Sequence, residues 1–518
     1  MPSSRSSLSS SLVLGLLAAC TQHPDDDASG GMECDDERMQ CVDHSIPAVR
    51  KIDVLFVIDD AASSIHAQAA LTADIEAFLA ALGASEDVDY RIAITTSDVG
   101  HPTCDATRAP ARGAFVHTAC SARPERFASA EDYAKACEAR CPAALADLAT
   151  VPSAAEDGTV APRPWIERTA GRTNLPDGVS IAQALQCFAP VGNDGCDFQS
   201  PLEAMSLAFI RSTTAGEGEF GFSRPDAHLA VVFVTDKPEC SLQDAGVAVF
   251  DGTGDRTLWG DADAPTQAAC WRAGTVCEGA VCEAADVAPD GTRTSPDAAV
   301  LQPLRRYTTM LETLVQRSAN ASPEVFVWVV GGVAQAEPEP GGEGETIAFE
   351  EEFGTAPGCV GETVAAVPPL RLQSLAEYFR HDEAPVAHSV CASTWSPALD
   401  AMGRALADAI EPFCYPGCPA DADPAVPGLQ PACVVSERVP GGARVDVPPC
   451  EFVGELGPQL PAGVDACAWF DASETRGALC RAQQSAEVKI LRREGAPRNA
   501  HAILHVECEA HDELGCAG

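Results

Sequence analysis

KIDVLFVIDDAASS, residues 51–64, is the stretch from which the fold can be read. Its first eight residues form a near-continuous apolar run. That pattern predicts a strand buried on both faces, as in a parallel sheet lying under helices. The run stops at Asp59-Asp60 and a series of small residues. From there apolar residues recur at Ile65, Leu71, Ile75, Phe78, Leu79 and Leu82, a spacing that predicts a helix over 65–82. Ser63 or Ser64 stands where a helix N-cap is expected.

The same grammar recurs along the chain. Residues 89–96 predict a second strand, ending in Thr95, Thr96, Ser97 and Asp98. Residues 228–235 (HLAVVFVT) predict a third, ending on Asp236, and residues 324–331 (EVFVWVVG) a fourth. Helical patterns occupy 201–211, 301–317, 370–380 and 397–410. Strands alternating with helices predict a doubly wound, Rossmann-like α/β sheet. In such sheets ligands sit outside the carboxyl ends of the strands. Two of these strands end in acids, Asp59 and Asp236. Carboxylates and hydroxyls converging there suit Mg²⁺, a hard cation that takes oxygen ligands in an octahedron.

These strings resemble the von Willebrand factor A (VWA) domain, and more narrowly the VWA lipoproteins common in myxobacteria. The resemblance rests on DVLFVIDDAASS, DYRIAITTSD, GCDFQSPLEAM, LAVVFVTDKPECS, and the tail from RLQSLAEYF through SVCASTWSPALDAMGRALADAI to Cys414. They occur in the family's order and cover about residues 50–414. The resemblance implies a metal-ion-dependent adhesion site: an Asp-x-Ser-x-Ser loop, a Thr from a second loop and an Asp from a third, completed by a partner's carboxylate. Carried over, Asp59 matches the first Asp, Ser63 the second Ser and Asp236 the last Asp. Two positions depart. Ala61 replaces the first Ser, and Gln199 falls where the Thr belongs, with Thr173-Asn174 an alternative source of a hydroxyl. The expected metal set is therefore Asp59, Ser63, Gln199 and Asp236, a degenerate site. Lys237 follows Asp236 directly, and its charge would oppose a cation if it points inward.

Composition bounds the rest. The chain has 518 residues, enough for two or three domains. With 46% hydrophobic and 21% charged residues it is globular in character and not a disordered polymer. Lys+Arg total 34 against 76 Asp+Glu, a net charge of -42 that disfavours nucleic acid and anionic lipid as partners. The 23 Cys show no zinc-finger spacing and argue for disulfides in an oxidising compartment. Residues 11–19 form an apolar run too short to span a bilayer. Leu17-Ala18-Ala19-Cys20 resembles the bacterial lipobox, which implies a signal peptide over 1–19 and acylation of Cys20. Setting Cys20 aside leaves 22 Cys, an even number. Thr21 in place of Asp implies sorting to the outer membrane or cell surface. Residues 20–49 predict an acidic tether, with Cys34 and Cys41 closing a small loop.

The α/β domain is expected over 50–413, with long Cys-bearing insertions at about 101–172, 240–298 and 334–368. Such loops are usually functional or disordered, and several leave the sheet edge that carries Asp59 and Asp236. Residues 414–518 hold eight Cys and short apolar runs, which predict a small, strand-rich, disulfide-stapled module. The GxGxxG at 216–221 precedes a strand and contains two Glu, so it is no phosphate loop. His381-Asp382-Glu383 and His511-Asp512-Glu513 lack a second His, and the acidic 251–263 stretch lacks the order of a calcium loop. No GxSxG, HExxH or Walker sequence occurs. The sequence thus predicts a non-enzymatic, lipid-anchored envelope protein whose VWA-like domain binds another protein, with Mg²⁺ as the candidate cofactor. The alternatives are a metal-free structural scaffold of the envelope and, more remotely, an envelope enzyme of unknown type.

Overall fold

The computed structural model describes residues 39–44 and 50–509, apart from 84–87, 106–108, 155–159, 170, 280, 318–322, 335–342 and 382. In the last hundred residues it also omits 411–412, 416–418, 420, 424, 427, 439–443, 453–456, 474–475, 477–479, 482 and 494–502. The signal peptide, Cys20, Cys34 and the tether up to Arg38 lie outside the described residues. None of the described helices is long and apolar enough to cross a membrane.

Within the span read as tether, Met39–His44 forms a strand, β1. The α/β domain then opens with Arg50–Ile58 (β2) and Ile65–Leu82 (α1). Val88–Thr96 (β3) follows, then a hairpin of Ile166–Thr169 (β4) and Arg172–Thr173 (β5). Next come Ile181–Phe188 (α2), Pro201–Thr213 (α3), His228–Val234 (β6), Gln267–Gly274 (α4) and Leu304–Val315 (α5). Val325–Gly331 (β7), Glu343–Phe353 (α6), Leu370–Tyr378 (α7), Ala387–Ser389 (β8) and Ser396–Ala409 (α8) complete it.

The strands form one seven-stranded sheet in the order β8-β7-β6-β2-β3-β4-β5. Neighbours from β8 to β3 run parallel, and the β4–β5 hairpin adds an antiparallel edge. The apolar runs of β2, β6 and β7 are buried along their length because these strands have neighbours on both sides and helices on both faces. On one face α1 packs on α8 and α2, and on the other α3 meets α5 and α5 meets α7. Asp53 interrupts the run of β2 and is 1% exposed. Its carboxylate is satisfied by Arg224, through the backbone N–H at 2.7 Å and Nε at 2.9 Å. This is the α/β sheet the sequence predicted, and its mixed, mostly parallel order is consistent with a VWA-like fold.

Two expectations need adjustment. Ser64 is the N-cap residue of α1, but its side chain makes no capping bond. Ser64 has helical dihedrals, φ -68° and ψ -12°, instead of the extended conformation that aims a capping hydroxyl at the first-turn N–H groups, and its Oγ accepts from Gln68 Nε2 at 2.9 Å, while Ser63 Oγ donates to Asp236. The acidic stretch in the third insertion is also more ordered than its composition suggested, since its second half enters α6.

Nine disulfides join described residues, which places the chain in an oxidising, extracytoplasmic compartment. Six lie within the α/β domain: Cys104–Cys196, Cys120–Cys137, Cys141–Cys187, Cys240–Cys270, Cys277–Cys282 and Cys359–Cys391. Three lie within the C-terminal module: Cys414–Cys480, Cys433–Cys508 and Cys450–Cys467. That module is built from Phe413–Tyr415 (β9), Cys433–Arg438 (β10), Arg444–Val447 (β11), Ala466–Asp471 (β12), Ala486–Arg492 (β13) and Ile503–Glu509 (β14). They make two small antiparallel sheets, β9-β13-β12 and β1-β14-β10-β11, so β1 joins the far end of the chain. Phe413, Tyr415, Val435, Phe470, Val488 and Val506 form the core between them.

Candidate functional site

The site follows from strand register. Ile58 of β2 pairs with Val234 of β6 and with Thr96 of β3. The residues just beyond these pairs, Asp59, Thr235-Asp236 and Ser97-Asp98, therefore emerge side by side at the carboxyl edge. The ladder continues one step further, with Asp59 N donating to Val234 O at 2.9 Å and Ser97 N to Ile58 O at 3.1 Å.

Asp59 is fully buried. Its Oδ1 accepts from Ala61 N at 2.7 Å and its Oδ2 from Thr235 Oγ1 at 2.5 Å. Burial, and then the negative charge of Asp236, hold its carboxyl well above the usual carboxylate range. The bonds from Thr235 and Ala61 and the charge of Lys237 oppose that rise. Asp236, 3% exposed, accepts from Ser63 Oγ on Oδ2 at 2.5 Å. Its Oδ1 is buried and finds no hydrogen-bond partner among the described residues. Lys237 points inward, its Nζ 3.8 Å from Asp236 Oδ2 and 4.9 Å from the Phe353 ring centre.

Asp59, Ser63 and Asp236 thus come together, as expected. Gln199 is placed one step aside. Its Nε2 donates to Asp60 Oδ1 at 3.1 Å and to Cys196 O, and its Oε1 accepts from Ser97 Oγ. It serves a second buried acid, Asp60, whose carboxyl is pushed up to about 7 by burial and then by the charge of Asp98. Thr173, the other candidate hydroxyl, lies on β5, the outermost strand of the sheet, three strands from β2. Residues not singled out from sequence also build the edge. Gln68 of α1 donates to Asp59 O at 2.9 Å and to Gly192 O at 2.6 Å, and its Oε1 accepts from Gly192 N at 3.2 Å. Gly195 lies so close to Asp60 that a Cβ there would sit 2.4 Å from its Cγ.

The donor set can be compared with what Mg²⁺ requires. Ser63 Oγ retains lone pairs and Asp236 Oδ1 has no hydrogen-bond partner among the described residues, while both Asp59 oxygens already accept from Ala61 N and Thr235 Oγ1, leaving two oxygens uncommitted toward an octahedron. Ala61 has no side-chain oxygen, the Gln199 amide is engaged by Ser97, Asp60 and Cys196, and an ammonium stands beside Asp236. These residues as placed do not fit a six-coordinate cation.

The insertions converge on the same edge. Cys104–Cys196 ties the first insertion to the loop bearing Gly195 and Gln199. Asn193 of that loop donates to Ala62 O at 3.0 Å. Trp271 of α4, in the second insertion, packs with Phe353 and Val367 of the third. Val367 N also donates to Asp236 O at 3.0 Å. A further group of potential metal ligands, His101 with Cys240 and Cys270, is buried nearby. Both sulfurs are committed to the Cys240–Cys270 disulfide, so no thiolate remains to bind an ion.

No protein-family model and no curated protein sequence matches this chain. Among solved structures, the pilus adhesin SpaC from Lactobacillus rhamnosus GG in its open conformation is similar at 8% identity and a TM-score of 0.29. That match covers 91% of this chain and 42% of the adhesin. A second crystal form of the same adhesin gives 9% identity and a TM-score of 0.25, covering 89% and 39%. The chain therefore spans less than half the length of that protein.

Proposed function

We propose that this chain is an extracytoplasmic protein-binding module, carried on the envelope by a lipid on Cys20, whose partner docks on the carboxyl edge of the central sheet. The observation that carries this reading is the convergence of three disulfide-tied insertions on the edge formed by Asp59, Ser63 and Asp236. Long ordered loops on a rigid scaffold are where binding surfaces are usually built. Ala62 and Asp197 are exposed beside the buried acids and offer the contact points. We assign the chain no catalytic step.

The test is photo-crosslinking in the intact envelope of the producing cell, from probes at Ala62, Asp197 and, as a control, Tyr378. Tyr378 is exposed at the end of α7 remote from this edge. A discrete adduct from the first two positions and none from the third supports the reading. Equal adducts from all three, or none, would favour the metal-free envelope scaffold.

A further inference from the structure

We propose that Lys237 is a built-in cation: its ammonium takes the charge role at the Asp59–Asp236 pair that a divalent ion would otherwise fill. Two carboxyls buried side by side in a low-dielectric edge repel when both are ionised, and a nearby positive charge relieves that repulsion. Lys237 supplies it from within the chain. Its side chain is 9% exposed, and Nζ lies 3.8 Å from Asp236 Oδ2. The ammonium lies over the Phe353 ring at 4.9 Å from its centre, a cation–π contact from the third insertion. The backbone of the same residue is tied into the pair. Lys237 N donates to Thr235 Oγ1 at 3.0 Å, and Thr235 in turn donates its hydroxyl proton to Asp59 Oδ2. One residue therefore fixes the donor to Asp59 and neutralises Asp236.

The surrounding donor set agrees with this assignment. An ion bound at Asp236 Oδ1 and Ser63 Oγ would stand within a few ångströms of the Lys237 ammonium and be repelled by it. The oxygens that could offset that repulsion are missing at Ala61 and engaged at Gln199. Chain charge makes the placement specific. Lys is used only four times in 518 residues, at 51, 135, 237 and 489, and one of the four is buried against this acid. The inference concerns the edge read above as a docking surface, but it does not depend on any partner. It is tested without one.

The experiment titrates the purified protein with Mn²⁺ alone, reading free Mn²⁺ by electron paramagnetic resonance and the melting temperature in parallel. The chains compared are wild type, Lys237→Met, Lys237→Arg and the double variant Lys237→Met with Asp236→Asn. Met removes the charge and keeps an unbranched side chain of similar length beside Phe353. Lys237→Gln replaces it if the Met variant does not fold. The expected result is no saturable Mn²⁺ site in wild type or Lys237→Arg, saturable binding in Lys237→Met, and its loss in the double variant. A wild-type site abolished by Asp236→Asn would overturn the proposal. So would a Lys237→Met chain that binds Mn²⁺ no better than wild type. Neither result bears on the crosslinking pattern, so the two readings fail separately.

Discussion

The side-chain amide of Gln68 donates to the backbone carbonyl of Asp59 at 2.9 Å, so the second turn of α1 holds the loop that precedes the helix. The same amide bridges to both backbone groups of Gly192, 124 residues away, at 2.6 Å and 3.2 Å. Gln68→Leu preserves volume but strands the Asp59 carbonyl and the Gly192 N–H and C=O in a buried place. The expected cost is about 3 kcal/mol, since each unsatisfied buried group costs about 1–3 kcal/mol. Urea denaturation measures it, and a loss below about 1 kcal/mol would show that water or a local shift replaces the amide.

Asp60 gives the edge a pH dependence. Its folded-state carboxyl titrates at about 7, against an ordinary value of 3.8. The folded protein therefore binds this proton more tightly than the unfolded chain. Its contribution favours folding at low pH and is lost as pH rises through the interval between those two values. Asp60→Asn removes the titration and leaves an Oδ1 that can still accept from Gln199. The variant should melt higher than wild type at pH 8 and close to it at pH 4.5. Equal melting differences at both pH values would assign the effect to packing.

His101 acts in the opposite sense. It stacks on Phe198 at 4.6 Å and meets Phe250 edge-on at 4.7 Å, and burial lowers its titration to about 3. The unfolded chain then binds a proton that the folded chain refuses. Stability is lost as pH falls from the ordinary histidine value of 6.5 toward 3. His101→Phe should flatten the acid limb of a melting-temperature profile between pH 6.5 and 4. An unchanged limb would mean that other groups, such as the half-buried His228, carry the acid sensitivity.

Gly403 sets the distance between two helices. A Cβ at this position of α8 would lie 2.5 Å from Phe78 O and 2.7 Å from Ala81 Cβ of α1. Gly403→Ala must push the pair apart, and overpacking of this kind costs about 1–3 kcal/mol. A midpoint shift in denaturant without change of slope is the expected signature.

Much of this architecture is written in local sequence. The apolar run of β2, the spacing of α1 and the acids ending β2 and β6 place Asp59 and Asp236 correctly, because strand period and strand ends are local properties. Helix limits at 201–213 and 396–409 fall within a few residues of their expected positions for the same reason. What was illegible depends on residues far apart in the chain. Gln68 looks like a surface residue of α1 until Gly192 covers it. The orientation of Lys237 is decided by Phe353, which arrives from an insertion more than a hundred residues later. Ser63 reads equally well as a cap and as a partner for an acid, and only the proximity of Asp236 decides. The pairing of β1 with β14 has no signature in either segment alone.

That last pairing carries a mechanical consequence. β1 is the outer strand of its sheet, with Met39 opposite Glu509 and His44 opposite Leu504. Its neighbour β14 is clamped to β10 by Cys433–Cys508 and cannot follow if β1 is drawn away. Tension entering the protein through the segment before Met39 would first load the backbone bonds of a six-residue edge strand. Only after β1 peeled off would the pull reach β2, the strand that ends on Asp59. The edge strand thus stands in series with the strand that ends on Asp59, and its backbone ladder is the first that such a pull would load.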